Sequence, residues 1–369
     1  MISRHLPASS YLVPLGALAL AVGSQLFGVP SGQGAAWVTV LVSFITLCVL
    51  LVTVFVVLEH AEALAFRLGQ PYGTLLLTFA VTTVEVSIIV SMMLHGENNP
   101  TLARESVFST VMIVCAGVVG LCLTLGAWQH RQQDLKRQGT SAILSVLTAL
   151  TVLTLVLPNF TLTTDPGSFS PVQLIFVSFC SVLLYASFVF AQTVRQRDDF
   201  IDESVAYIGI HAGHASKRAL YMNAVFLVIG LVGIVLLAEQ VAIGIEDGLA
   251  ALQVKQSDSI VGAFIATLVL LPESLAAIRA ALNNELQRSL NIALGSALAT
   301  IGLTIPAVGM ASLITGRELT LGLSSGDTVL LALVLSISIH SFGTGRTTVL
   351  TGMVHLVVFI AFLLLLAVP

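Results

Sequence analysis

Apolar residues in this chain fall in long blocks, with no strict alternation and no heptad spacing. Nearly uncharged runs recur at about 11–29, 36–58, 72–95, 105–128, 140–158, 172–194, 219–238, 259–279, 289–313, 320–342 and 347–368, separated by short polar stretches. Each run is long enough to cross a bilayer, which takes ~20 mostly apolar residues as a helix. Inside lipid the backbone polar groups must pair within the segment, so a helix is the expected form of every run. The pattern predicts an all-α polytopic membrane protein with eleven transmembrane helices. The run at 11–29 follows a single Arg4 in the manner of a signal peptide, but it has no convincing small-residue cleavage site and is read as a helix.

Positive charge orients the runs. With a cytoplasmic N-terminus, that side receives Arg4, Arg67, Arg131, Lys136, Arg137, Arg195, Arg197, Lys217, Arg218, Arg279, Arg288 and Arg346. The opposite side receives Arg104, Lys255 and Arg317. This asymmetry supports eleven spans with the N-terminus in and the C-terminus out. Composition agrees with the bilayer as partner: 56% of residues are hydrophobic and 9% charged, against roughly a quarter charged in soluble domains. A net charge of −4 and the lack of a long basic tail argue against a nucleic-acid partner. Cys48, Cys115, Cys122 and Cys180 all lie in apolar runs without a CxxC pair, so they read as small packing residues.

The longest polar connection, residues 195–218, divides the chain. It leaves an N-terminal helix in 1–35, a five-span set in 36–194 and a second five-span set in 219–369. The connection reads as a solvated cytoplasmic linker. The alternative is a cation or pH sensor using Asp198, Asp199, Asp202, Glu203, His211 and His214, although no metal-ligand spacing there is convincing.

Two glutamates lie about 13 or 14 residues into apolar runs: Glu85 in "AVTTVEVSIIV" and Glu273 in "ATLVLLPESLAAI". Each lies in the second span of its set and is followed ~20 residues later by a helix rich in small residues, "SVFSTVMIVCAGVVG" and "SLNIALGSALATIG". Because five is odd, the second set enters the membrane from the side opposite to the first. The expectation is one leading helix plus two inverted five-helix repeats, an architecture that places a substrate site near mid-membrane.

A carboxylate at the bilayer centre is costly and normally faces a cavity or a partner. Two such groups facing one another would hold either protons or a cation, and competition for the same oxygens would couple the two fluxes. Oxygen-rich surroundings suit a hard cation. Thr82 and Thr83 precede Glu85, and Ser87 follows it. Pro272 precedes Glu273 and has no N–H, which withdraws the usual partner of a backbone carbonyl one turn earlier. Ser109 and Ser296 add hydroxyls on the small-residue helices, as packing residues or as ligands. Glu59 and Glu239, at span ends, read as interfacial or entrance carboxylates; His340 and His355 read as hydrogen-bonded histidines, with a proton relay as the alternative.

These features resemble the cation/proton exchanger family of the calcium/cation antiporter superfamily, in particular its bacterial calcium/proton antiporters. "VGAFIATLVLLPESLAAIRAALNNELQRSLNIALGSALATIGLTIP" is similar to the second alpha-repeat of that family, and "LLAEQVAIGIE" to the segment before it. "GTLLLTFAVTTVEVSIIVSMMLHG" corresponds to the first alpha-repeat. The resemblance spans nearly the whole chain. It implies calcium-for-proton antiport in a bacterial inner membrane, with Glu85 and Glu273 as the central cation- and proton-binding site, Thr82, Ser109 and Ser296 beside it, and no cofactor. The sequence departs from the family where Asn often precedes each glutamate, here Thr82 and Leu270, and where amides are expected, here Ile113 and Ala299. Those departures leave sodium or potassium as alternative cargo.

Other classes fit less well. A passive cation channel would want a repeated selectivity loop or an oligomeric pore. "EHAEA" at 59–63 is not HExxH, and the chain has no Walker A motif, which argues against a zinc-dependent intramembrane enzyme and against a primary pump.

Overall fold

The computed structural model describes residues 8–27, 36–68, 72–95, 99–200, 217–251 and 257–368. The described residues form eleven helices, one for every apolar run: α1 Ala8–Phe27, α2 Ala36–Leu68, α3 Tyr72–His95, α4 Leu102–His130, α5 Arg137–Phe160, α6 Pro171–Arg195, α7 Lys217–Ala251, α8 Ser257–Leu282, α9 Leu286–Thr315, α10 Ser325–Gly343 and α11 Val349–Ala367. Nine of them hold a described window long and apolar enough to cross a membrane, and the other two contribute the shorter apolar helices Ser10–Ser24 and Thr78–Met93. The only strands among the described residues are Gln133–Asp134 and Arg346–Thr347, paired antiparallel.

Helix ends follow the sequence where capping residues are present. Ser170 accepts from the Gln173 backbone while Gln173 bonds back to Ser170, a reciprocal capping box with Pro171 at the first helical position. Ser324 and Thr348 cap α10 and α11 by accepting from the backbone N–H groups of Asp327 and Thr351. By contrast, α2 and α7 continue beyond their apolar runs through "EHAEALAFRL" and "EQVAIGIEDGLAA", neither of which contains a proline to stop the helix. Of the polar connection at 195–218, residues 201–216 lie outside the described residues, as do Asp202, Glu203, His211 and His214.

The helices sort into two compact units, residues 1–96 with 208–254 and residues 97–207 with 255–369. In the first unit α7 is the hub, packing against α1, α2 and α3. Gly230 permits this: a Cβ there would stand 2.2 Å from Val57 of α2 and 3.5 Å from Pro14 of α1. His60 of α2 is fully buried between these helices, bonded at Nδ1 to Asn223 of α7 (3.2 Å) and at Nε2 to the Ser10 carbonyl of α1 (2.9 Å).

In the second unit α4 is the central helix, buried along most of its length, with α8, α9 and α11 around it. α6 shows Phe176 and Phe179 to the outside and buries only Leu174, Val177, Ser181 and Phe188, as expected of a lipid-facing helix. Within this unit the connections gather at two ends, as the alternation of spans requires. His130 at the end of α4 and Gln133 after it reach the carbonyls of Leu282 and Ala281 at the α8–α9 turn, and Asp134 pairs with Arg346 between α10 and α11. Arg104 in the first turn of α4 reaches the Gly322 carbonyl between α9 and α10, and Leu321 bonds to the Gly167 carbonyl between α5 and α6. The first end carries Arg131, Lys136, Arg137, Arg195, Arg197, Arg279, Arg288 and Arg346, and the second Arg104 and Arg317.

Four helices of this unit contain or end in a π turn, at Ile113–Val118 in α4, Val152–Val156 in α5, Ala191–Arg195 in α6 and Thr300–Thr304 in α9. Those in α4 and α9 begin four residues after Ser109 and Ser296 respectively. α4 packs on α11 and α9 packs on α6, so each of these interrupted helices is backed by the last helix of the other five-span set.

Candidate functional site

Glu273 is 4% exposed on α8, inside the second unit. The helix runs unbroken through Pro272, which cannot donate to the carbonyl of Leu268. Ser296 on α9 donates its hydroxyl to Glu273 Oε2, and it is itself buried. Tyr185 of α6 lies within electrostatic reach of the carboxylate and packs over Gly302 in the π turn of α9. The result is a carboxylate and a hydroxyl joined across two helices.

Ser109 belongs to the same unit but not to the same cluster. α4 and α8 run parallel: Ser259 bonds to Glu105 at one end (2.9 Å) and Gly126 lies against the Ala281 carbonyl at the other. That register puts Glu273 level with about Val118. Ser109 is therefore displaced by about 13 Å along α4, at ~1.5 Å per residue.

Glu85 lies on α3 in the first unit and is 2% exposed. It shares a buried stripe with Thr82, Ile88, Ile89 and Met92, at the three- and four-residue spacing of one helix face. Thr83 is on the exposed face and returns its hydroxyl to the Phe79 carbonyl, and Ser87 returns its own to Thr83. Of the hydroxyls around Glu85 in sequence, Thr82 is the one buried on its stripe.

Glu59 is exposed just past the apolar run of α2 and accepts from Ser10 of α1 (3.1 Å), which suits an interfacial carboxylate. Glu239 falls within α7, but its side chain lies outside the described residues. His340 is exposed and bonds the Ser336 carbonyl of its own helix (2.8 Å). His355 is fully buried between α4 and α10. Among the described residues no group of three His, Cys, Asp or Glu side chains could hold a metal ion by itself.

Sequence reasoning missed Glu105. It is 5% exposed, accepts from Arg104 Nε (2.9 Å) and Nη2 (2.5 Å) with one oxygen, and from Ser259 with the other. A signal was available, since Arg104 and Glu105 are adjacent at a span end, but nothing in the sequence says that Ser259 and Gly322 meet them.

A bundle of apolar helices with carboxylates buried on three of them, Glu85, Glu105 and Glu273, is built as a secondary transporter. The profile of the family described as "Sodium/calcium exchanger protein" matches residues 36–194 and again 222–368, and the chain belongs to that family. It is 43% identical over 368 residues to "Putative ionic transporter y4hA" of Sinorhizobium fredii (strain NBRC 101917 / NGR234), covering 100% of this chain and 98% of that protein. It is 34% identical over 330 residues to "Sodium-potassium/proton antiporter ChaA" of Escherichia coli (strain K12), covering 89% of each. The fold is similar to the crystal structure of the H+/Ca2+ exchanger CAX, with a TM-score of 0.70 at 15% identity over 97% of this chain and 89% of that one. The protein is thus an integral membrane cation exchanger of the calcium/cation antiporter superfamily, and not an enzyme.

Proposed function

We propose that the protein exchanges calcium for protons by alternating access, with both ions competing for Glu85 and Glu273. The buried Glu273 carboxylate joined to the Ser296 hydroxyl carries this reading. A hydroxyl that donates to a carboxylate keeps its lone pairs for a cation, so the cluster can accept a cation without first breaking its own bond. The same oxygens take a proton when the cation leaves. Glu85 with Thr82 on α3 supplies the second half of the site. Two carboxylates balance one divalent charge or two protons.

Pairing the two halves rests on an inverted repeat. The double family match at 36–194 and 222–368 supports it, and so do the π turns that follow Ser109 and Ser296 at the same interval. By the same symmetry Ser109 is the counterpart of Ser296 and serves the Glu85 half of the site. Glu59 and Glu239, just past the apolar runs of α2 and α7, serve as entrance carboxylates. The charge asymmetry supports a bacterial inner membrane location with the N-terminus cytoplasmic and the C-terminus outside.

A second reading keeps the mechanism and changes the cargo. The 34% identical relative is named a sodium-potassium/proton antiporter, and Thr82 and Leu270 supply no amide oxygen to the site. The deciding experiment places purified protein in liposomes with an imposed pH gradient and adds calcium, sodium, potassium or magnesium in turn. Calcium should collapse the gradient most effectively. Collapse by sodium or potassium alone would establish the second reading, and cation flux without coupled proton movement would establish a channel instead.

A further inference from the structure

His355 has two hydrogen-bonding partners, and one of them is a carbonyl that helical geometry ordinarily satisfies. In an α-helix the Cys115 carbonyl would accept from the N–H of Val119. In the π turn of α4 that N–H donates to the carbonyls of Val114 and Ala116 instead, bypassing Cys115. His355, fully buried on α11, places Nδ1 2.7 Å from the bypassed oxygen. A carbonyl only accepts, so the ring proton is on Nδ1, and in the neutral ring Nε2 then accepts from the Ser341 hydroxyl of α10 (3.1 Å). The ring also stacks on Phe342, with centroids 6.1 Å apart. Gly117 and Gly120 let α11 come this close, since Phe359 and Leu356 rest where their side chains would be.

The capped turn is also in a consequential place. It packs against α8, α9, α10 and α11, and the parallel register of α4 and α8 puts its end level with Glu273. A π turn adds one residue to its helix, so losing it rotates everything on one side by about 100°, the angle per residue of a 3.6-fold helix. Such a rotation would replace the surface on which α8 and α9 hold Glu273 and Ser296.

We infer that His355 is a positioning residue for the Glu273–Ser296 half of the site, acting through the Cys115 carbonyl to hold the π turn of α4 in place. The inference rests on the reading of Glu273 as an ion-binding carboxylate. It assigns His355 no proton-carrying part.

The test uses the full-length protein in liposomes, with calcium titrated as the driving cation. His355→Leu should raise the half-saturating calcium concentration at least about fivefold, with the maximal rate changed less, and His355→Asn, whose amide stands near the position of Nδ1, should stay within about twofold of wild type. His355→Gln, whose amide stands nearer Nε2, should behave like the leucine variant, and Ser341→Ala should behave like wild type. If the leucine variant fails to fold, the asparagine–glutamine contrast decides alone. Amide hydrogen exchange over 113–120 should speed up in the leucine and glutamine variants only. Wild-type half-saturation in folded His355→Leu, no difference between Asn and Gln, or an equal loss in Ser341→Ala would overturn the inference. A wild-type protein that exchanges no cation for protons would instead overturn the functional reading, while the hydrogen-exchange pattern would still report whether His355 caps the turn.

Discussion

Replacing Ser296 with alanine removes one buried hydroxyl and leaves the Glu273 carboxylate in place. That hydroxyl donates to Glu273 Oε2. With a cation bound, its lone pairs would face the ion while the donation persists, so the variant loses one oxygen from the ion's shell and one restraint on the carboxylate. A hydrogen bond to a charged group contributes about 1.5–3 kcal/mol, and each ~1.4 kcal/mol is a factor of ten in affinity. Water entering the vacated space would recover part of this, since the pocket stays polar. The expected result is therefore near the lower bound, a roughly tenfold rise in half-saturating calcium. Proton movement in liposomes, followed with a pH-sensitive dye across a calcium titration, measures it. Ser296→Thr keeps the hydroxyl and should retain most of the affinity. If folded Ser296→Ala kept its half-saturation while Ser296→Thr did not, the hydroxyl would be no ligand and steric fit alone would explain the site.

Three further outcomes follow from local geometry. Gly352→Val should lower thermal stability in detergent by about 1–3 kcal/mol, because even a Cβ there would stand 2.3 Å from Thr124 Oγ1 and 2.5 Å from its backbone nitrogen. Arg104→Leu strands the buried Glu105 carboxylate and should cost roughly 3 kcal/mol in an unfolding measurement, much of it recovered when Glu105→Leu is added. Thr82→Val should weaken calcium exchange, whereas Thr83→Val, on the exposed face of the same helix, should leave the titration unchanged.

All eleven helices were legible in the sequence because lipid permits few alternatives: a long apolar run must be helical to satisfy its own backbone. Their ends were less legible. α2 and α7 outrun their hydropathy, since a helix does not have to stop where hydrophobicity does and no proline stops these two. Glu85 and Glu273 stood out as isolated charges, and both are buried. What escaped was everything decided by which helix lies beside which. The Arg104–Glu105–Ser259 cluster joins residues about 150 positions apart, and the cap of His355 on Cys115 spans 240. The π turns left no trace either, because a one-residue shift in hydrogen bonding needs no special side chain within the turn. Ser109 and Ser296 looked equivalent in sequence; only the parallel register of α4 and α8 separates them relative to Glu273.

The central claim is that Glu85 and Glu273 together hold the ions. The most direct measurement is calcium-driven proton movement in liposomes containing wild-type protein, Glu85→Gln or Glu273→Gln, with folding of each checked by thermal unfolding. Glutamine keeps size and polarity but can neither take up a proton nor supply negative charge. Both variants should be folded and should show no coupled exchange at any calcium concentration. Normal exchange by either folded variant would contradict the account.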